Sequence, residues 1–249
     1  IHFTEIQIGR TNYDLKNFEE AKKWLRKAIE GFSKLDDSVD KNLADAYSTL
    51  AFIAEEEGNI DEAAIYYEKA EKNYSKSLHE NFYFEYLDFL THVSEFYSLN
   101  NNEEKAIKLS QKGLDYISKS YSKNSLVGLR QSLNVGNIYF NLQDFKKAEQ
   151  IADDCLQILD NMMAKTGSGP DSVKVNSDRP SAILLKEKSS YYLQKDKSQE
   201  YLQKMLKELK DALAVIDKRK NFLTNHEDQQ ALMVHFGELV DFIKKIQLE

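Results

Sequence analysis

The sequence has few of the residues that interrupt helices. Of 249 residues only 2 are proline and 9 are glycine, and Pro170 and Pro180 lie in one short segment. Because proline breaks helices, the long stretches on either side of that segment can be helical. The low glycine and proline content excludes a collagen-like rod, and a hydrophobic content of 41% excludes a disordered chain.

Cysteine and long apolar runs are also scarce. The one cysteine, Cys155, cannot form an internal disulfide, which fits a reducing compartment, and we expect the cytoplasm. No stretch approaches the roughly 20 apolar residues that span a bilayer, and the N-terminus lacks a signal-peptide pattern. Because the chain begins at Ile1 and not at methionine, a fragment or a processed product stays an open alternative.

Positive charge is in deficit, with 34 Lys and Arg against 41 Asp and Glu and a net charge of −7. Nucleic-acid binding without sequence preference requires a basic surface that displaces phosphate counterions. We therefore expect neither nucleic-acid nor membrane-surface binding. Charged residues still make up 30% of the chain, which favours helices in water.

Sequence motifs for catalysis, nucleotides and metals are missing. No glycine-rich nucleotide loop and no nucleophile elbow occurs, and Cys155 falls in a register that predicts a buried packing thiol. The histidines are widely separated and have no metal-ligand spacing: His2, His79, His92, His226 and His235. We expect no enzyme, no cofactor and no metal.

The sequence does contain a repeat. Four polar turn segments each end in an alanine, and these alanines are 42, 43 and 42 residues apart: Ala21, Ala63, Ala106 and Ala148. Small residues lie twelve positions before each alanine and seven positions after it: Gly9, Ala51, Ser94 and Gly136, then Ala28, Ala70, Gly113 and Cys155. Small side chains let two antiparallel helices approach where their axes cross. The spacing therefore predicts successive helix pairs.

These residues resemble the tetratricopeptide repeat (TPR), which has small residues at its eighth, twentieth and twenty-seventh positions. An aromatic residue near the eleventh position, Tyr97 or Tyr139, and the polar turn ending in alanine also match. The usual period is about 34 residues, whereas the longer period resembles that of kinesin light chains and of many bacterial signalling proteins. The resemblance covers residues 1–160 and implies an all-α, right-handed superhelical solenoid of antiparallel helix pairs.

The pattern changes after Met163. We expect four helix pairs in residues 1–163, a flexible insertion at 164–180, and a fifth, divergent pair at about 181–194 and 197–220. In this fifth pair Tyr201 replaces the alanine, so close packing there is in doubt. A capping helix is expected at about 227–247, with one apolar stripe: Leu232, Phe236, Leu239, Val240 and Ile243.

Two further stretches bear on function. The segment 218–223, followed by the capping helix, resembles the end of the repeat array that precedes caspase-like protease domains in some bacterial proteins. In the aromatic run 82–89, helical spacing predicts that Phe82, Tyr86 and Phe89 face neighbouring helices. Tyr83 or Phe84 then faces elsewhere and is a candidate anchor for a partner.

The resemblance implies a concave groove lined by the first helix of each pair. Its expected partner-binding residues are Asp45, Thr49, Phe52, Glu56, Asp88, His92, Glu95, Arg130, Asn134, Asn137 and Asn141. The three asparagines are spaced to share one helix face, where their amides can hydrogen-bond a peptide backbone. A merely solvated helix face is the alternative.

The family members that bind chaperone tails grip a terminal carboxylate with lysine, asparagine and arginine in this groove. The corresponding positions here are Ile6, Arg10, Thr49, Asp88 and His92, so that clamp is missing. An acidic central groove should instead favour a basic or neutral segment.

The leading hypothesis is therefore a non-catalytic protein–protein interaction module, an adaptor or scaffold that binds a peptide or helix. A sensor or regulatory segment of a larger signalling or caspase-like protease polypeptide is one alternative. An assembly subunit of a stable complex is another.

Overall fold

The computed structural model describes residues 2–35, 40–77, 84–166, 170–220 and 236–249. Helices account for nearly all of these residues, and no strand occurs among them. In chain order they are α1 (His2–Asp14), α2 (Phe18–Phe32), α3 (Asp40–Glu56), α4 (Ile60–Ser77), α5 (Phe84–Leu99), α6 (Glu103–Ser118), α7 (Leu126–Asn141), α8 (Phe145–Thr166), α9 (Pro170–Asn176), α10 (Arg179–Leu193), α11 (Gln199–Lys220) and α12 (Gly237–Gln247).

The small residues of the repeat lie inside, as the spacing predicts. Ala21, Ala63, Ala106 and Ala148 are each 0% exposed, and the two sets of small residues that flank them are buried as well. A β-carbon added to Gly136 would lie 2.5 Å from a methyl carbon of Leu185. At this position only a hydrogen atom fits between α7 and α10 without a shift of the neighbour.

The turns inside the first four helix pairs all have the same backbone conformation. Its central residue has a positive φ of 60° at Lys16, 77° at Gly58, 58° at Asn101 and 62° at Gln143. The N–H of the following residue donates to a carbonyl five positions earlier, as Asn17 does to Asn12 and Asn59 does to Ala54. This is the Schellman ending of a helix, which satisfies carbonyls that the helix leaves unpaired. The repeat therefore extends to the backbone conformation of the turns.

The chain forms two compact units, Ile1–Val93 and Ser94–Glu249, and the boundary falls within α5. In the first unit, α1 packs on α2 and α3 packs on α4, while α3 also contacts both helices of the pair before it. Leu25 and Ile53 are 0% exposed in the core between these helices. Burial of each such side chain stabilises the fold by about 1.5–3 kcal/mol.

In the second unit, helices of successive pairs also pack against one another. Helix α7 contacts α6 and α8, and α10 contacts α7, α8 and α11. Leu129 and Leu159 lie in the core of the fourth pair, whereas Met205 and Leu239 lie in a core that the fifth pair shares with α12. Tyr201 is accommodated beside this second core as a partly buried side chain.

The segment predicted as a flexible insertion contains a helix that the sequence did not predict. Helix α9 begins at Pro170, where proline is tolerated in the first turn, and it packs against α8. Its Val175 is 5% exposed and joins the core of the fourth pair. Residues 167–169 lie outside the described residues, and the division of the chain at 163 and 180 stays a prediction.

The C-terminal part contains α10, α11 and α12 where it is described. The fifth pair comprises α10 and α11, and α12 buries Leu239 and Ile243. Residues 227–235 of the expected capping helix, with Leu232, lie outside the described residues, as do residues 221–223. In α5, Tyr86 and Phe89 are buried and Phe84 is 48% exposed, as predicted, while Phe82 and Tyr83 are also outside the described part.

Candidate functional site

In the first unit, three aromatic rings meet around Phe52 of α3. The Phe52 ring lies edge-on to His92 at 4.7 Å and to Tyr67 at 5.9 Å, measured between ring centroids, and Tyr13 is 6.2 Å away. We call Tyr13, Phe52, Glu55, Tyr67 and His92 the Phe52 cluster. Helices α1, α3, α4 and α5 each contribute to it, because successive helices of the repeat pack side by side.

A carboxylate connects three helices within this cluster. The Tyr67 hydroxyl of α4 donates to Glu55 of α3, and Nε2 of His92 on α5 lies 3.0 Å from the same carboxylate oxygen. Burial alone would raise the pKa of Glu55, but the hydrogen bonds from His92 and Tyr67 hold it below its usual value. Glu55 therefore stays ionised in a half-buried position and orients the histidine.

Glu56 forms a second polar group at the end of α3. It accepts a 2.7 Å hydrogen bond from the Tyr13 hydroxyl and bonds from Nζ of Lys16, at 2.6 Å to one oxygen and 2.9 Å to the other. The hydrogen bond from Lys16, followed by that from Tyr13, lowers the pKa of Glu56. The same ammonium group lies 5.4 Å from the Tyr13 ring centroid. The ammonium group of Lys16 therefore contacts both the Glu56 carboxylate and the Tyr13 ring.

Two of the expected groove residues have structural contacts instead. Thr49 is 5% exposed, and its hydroxyl donates to the Asp45 carbonyl at 3.0 Å. The carboxylate of Asp45 accepts a 2.6 Å hydrogen bond from the Tyr74 hydroxyl. The prediction that Thr49 lines the groove is wrong, because its side chain turns back onto its own helix. Through this hydrogen bond, Asp45 connects α3 to α4.

The expected residues on α5 remain accessible. Asp88 lies one turn before His92 and is exposed, and its pKa is raised by partial burial and by the nearby charge of Glu85. Glu95 is also exposed, although it belongs to the second unit. In the first unit, the side chains that face solvent around Phe52 are therefore predominantly acidic.

In the second unit, α7 carries the expected asparagine row. Asn137 is exposed and has no hydrogen bond within the described residues. Asn141 donates from Nδ2 to the Ser98 hydroxyl at 3.1 Å, and Asn134 is half-buried, with a long contact of 3.5 Å to Gln131. Asn137 is therefore the member of the row that is most available to a partner.

Arg130 is held by a residue from the predicted insertion. Its Nε donates to both carboxylate oxygens of Asp178, at 2.9 and 3.0 Å. The Arg130 side chain is 53% exposed. Asp178 immediately precedes α10, and this ion pair therefore joins α7 to the start of the fifth pair.

Sequence reasoning missed Tyr13, Glu55 and Tyr67. Glu55 lies three residues after Phe52 and so shares its helix face, which was a usable signal. The hydroxyl contacts of the tyrosines depend on how three or four helices pack, and no local pattern reveals that.

Other reactive groups lie apart from these surfaces. Cys155 is 1% exposed, and burial raises its thiol pKa to about 12, so the prediction of a packing thiol is confirmed. Across the described ranges, no His, Cys, Asp and Glu side chains are grouped as ligands for a metal ion. No helix in those ranges is long and apolar enough to cross a bilayer.

Comparison with known proteins agrees with the repeat geometry. The family model described as the tetratricopeptide repeat matches residues 2–76, and a second model with the same description matches residues 132–158. The chain therefore contains tetratricopeptide repeats in these two segments. The matched residues include the alanines Ala21, Ala63 and Ala148, so the repeat found by spacing and the family assignment coincide. No curated protein matches the sequence significantly.

Solved structures of TPR proteins share the fold. BtubC (BKLC) from P. vanneervenii is 17% identical with a TM-score of 0.61, and the match covers 87% of this chain and 80% of that one. The TPR-like repeats of a Podosopora anserina kinesin light chain are 15% identical with a TM-score of 0.63, covering 87% and 95%. YrrB, described as a TPR protein with an unusual peptide-binding site, is 15% identical with a TM-score of 0.50, covering 87% and 90%. At these identities the likeness establishes the all-α, TPR-like solenoid fold.

Proposed function

We propose that this TPR protein is a non-catalytic interaction module, an adaptor or scaffold that binds a peptide or helix of another protein along the first helices of its pairs. The observation that carries the proposal is the Phe52 cluster with its flanking carboxylates. There an aromatic surface and charged groups are held in place by hydrogen bonds yet remain partly open to solvent. Such preorganised aromatic groups are the usual anchors of protein interfaces.

The first unit favours a partner segment that is basic or neutral. Glu55 bonds to His92, Glu56 follows Glu55 on α3, and Asp88 lies one turn before His92 on α5. Lys16 is the only lysine or arginine bonded to these carboxylates within the described residues of this unit. Lys16 is 63% exposed, so a basic side chain of the partner can compete for Glu56 at little cost. Charge complementarity of this kind selects the partner and speeds the encounter.

The second unit carries its own surface for a partner backbone, on α7. Each side-chain amide has a carbonyl and an NH₂ group and therefore pairs with a peptide bond in either direction. Asn137 provides such a group without an internal contact, and Asn134 and Asn141 flank it on the same face of α7. The peptide-binding site named for YrrB is consistent with this use of the fold. The single, buried thiol of Cys155 accords with a cytoplasmic setting, which we also propose.

The experiment is an affinity capture from cell extract with the intact chain, followed by a titration of the recovered partner. The test variant replaces Asn134, Asn137 and Asn141 with alanine. The matched control replaces three exposed amide residues of the second helix α8 with alanine: Gln150, Gln157 and Asn161.

We expect the Kd to rise about tenfold or more for the α7 variant and to stay within about twofold for the α8 control. A charge-neutralised variant, Glu56→Gln with Asp88→Asn, should lose affinity mainly at low salt. Unchanged binding by both the α7 and the charge-neutralised variants rejects this surface.

A further inference from the structure

A second surface in the second unit has a different chemistry. Tyr192, at the end of α10, stacks on Phe145 at the start of α8, with ring centroids 4.9 Å apart and planes 14° from parallel. Phe140 of α7 meets Tyr192 edge-on at 5.7 Å. Although it touches both rings, Tyr192 is 50% exposed, and the adjacent Leu193 is 43% exposed. An apolar step therefore faces solvent where α7 and α10 end and α8 begins.

Two lysines lie beside this step. Nζ of Lys245 is 5.0 Å from the Tyr192 ring centroid and 4.5 Å from that of Tyr191, and Nζ of Lys197 is 4.4 Å from the Tyr191 centroid. Neither lysine forms an ion pair within the described residues. We call Phe140, Phe145, Tyr192, Lys197 and Lys245 the Tyr192 patch.

Two neighbouring lysines, Lys188 and Lys244, do form ion pairs. Lys188, which lies 4.4 Å from the Phe140 ring centroid, is paired with Glu238, and Lys244 pairs with Asp241 at 3.0 Å. The nearby Glu249 carboxylate accepts the hydroxyl of Tyr191. The Tyr192 patch thus carries two positive charges without a carboxylate partner, in a chain whose net charge is −7.

We propose that the Tyr192 patch binds an acidic segment of a partner protein that carries an aromatic or leucine side chain. The apolar side chain covers the exposed face of the Tyr192–Phe145 stack and removes it from water. Carboxylates of the same segment pair with Lys197 and Lys245, whose ammonium groups the aromatic rings already orient. The partner chemistry is opposite to that expected for the Phe52 cluster, so the two surfaces serve different ligands.

Physical reasons favour this occupant. An aromatic residue presents a large rigid surface at a low entropic cost, and tyrosine is a typical anchor of interfaces. A lysine held over a ring keeps three N–H donors, which a carboxylate satisfies better than a neutral side chain does. Since the net negative charge of the chain repels acidic ligands elsewhere, a local cationic patch also sets where such a ligand docks.

The test is a selection of displayed random peptides on the intact chain, with counter-selection on the Tyr192→Ser variant. Counter-selection removes peptides that bind elsewhere, including at the Phe52 cluster, so this result is independent of the proposed function. The recovered peptides are then labelled and titrated against Lys245→Glu and against the control Lys244→Glu. The two variants change the net charge equally and lie side by side on α12, and circular dichroism verifies that both are folded.

We expect net acidic peptides with an aromatic or leucine residue, whose Kd rises about tenfold or more in Lys245→Glu and about twofold or less in Lys244→Glu. Affinity should also fall as ionic strength rises. Recovery of basic or neutral peptides, equal loss in the two lysine variants, or no recovered peptide would each overturn the proposal.

Discussion

At the residue scale, the hydroxyl of Tyr67 is the point where polar contacts of three helices converge. Tyr67 is 0% exposed, donates to Glu55 and lies 2.9 Å from Nε2 of His92. Removing this hydroxyl leaves a half-buried carboxylate with one donor fewer. We predict that Tyr67→Phe lowers the free energy of unfolding by about 1–2 kcal/mol, measured by urea denaturation.

The adjacent tyrosine provides the control. Tyr66 stacks on Tyr47 with ring centroids 6.2 Å apart, and its hydroxyl has no hydrogen bond within the described residues. Tyr66→Phe should therefore change the free energy of unfolding by less than about 0.5 kcal/mol. Equal effects of the two substitutions would show that the bond to Glu55 contributes nothing to stability.

Glu187 is a second residue whose chemistry depends on its surroundings. It is 5% exposed on α10, and burial, followed by the charge of Glu208 on α11, raises its pKa to about 8. The nearby Lys186 does not neutralise it, because Lys186 pairs with Asp153 at 2.9 Å. At neutral pH Glu187 therefore holds a proton that it would lose in the unfolded chain.

The difference between the folded and unfolded pKa of Glu187 determines whether stability rises or falls with pH. The folded pKa of about 8 exceeds the ordinary value of 4.5, so the contribution of Glu187 is fully present below pH 4.5 and is lost as the pH rises towards 8. The slope is at most about 1.4 kcal/mol per pH unit. Glu187→Gln cannot ionise and should gain stability over the native chain across this window, as measured by thermal unfolding at several pH values.

An exposed glutamate on the neighbouring helix provides the comparison. Glu200 lies in the first turn of α11 and is exposed, so Glu200→Gln should follow the pH dependence of the native chain. A Glu187→Gln variant that also follows the native curve would disprove the assignment of a proton to Glu187.

At the element scale, the turns with positive φ are the most regular feature beyond the helices. Three of the four central residues are not glycine, although only glycine adopts this conformation without steric cost. Gln143 has a φ of 62° and is exposed. We predict that Gln143→Gly stabilises the chain by about 0.5–1 kcal/mol, measured by urea denaturation.

The same substitution inside a helix should have the opposite sign. Gln157 is an exposed residue in the middle of α8, where glycine costs about 1 kcal/mol relative to a good helix former. If glycine destabilises the chain at both positions, then the conformation at Gln143 does not limit the stability of the turn.

The helix pairs and the cap could be predicted from the sequence because their signals are local and recur at a fixed interval. The sequence does not predict helix α9, because proline usually breaks a helix, whereas Pro170 occupies the first turn, where proline is tolerated. Thr49 was misplaced because its hydroxyl bonds to its own helix, a choice that spacing does not reveal. The partner of Arg130, Asp178, is 48 residues away, and only the folded chain brings the two together.

At the scale of the whole molecule, the small residues of the repeat build the fold, whereas residues outside the repeat pattern form the candidate binding surfaces. Phe52, Glu55 and His92 in the first unit, and Asn137 and Tyr192 in the second, are not among the small residues that define the repeat. The fold could therefore be assigned from the sequence, whereas the accessible groups required the packed structure. This difference explains why the asparagine row was found and the Glu55 network was not.

Hydrogen–deuterium exchange of the intact chain, with and without the partner recovered by affinity capture, tests whether the partner binds along the first helices of the pairs. Binding should slow exchange in α1, α3, α5 and α7 and leave exchange in α2, α4, α6 and α8 unchanged. Protection confined to the second helices of the pairs would contradict this prediction.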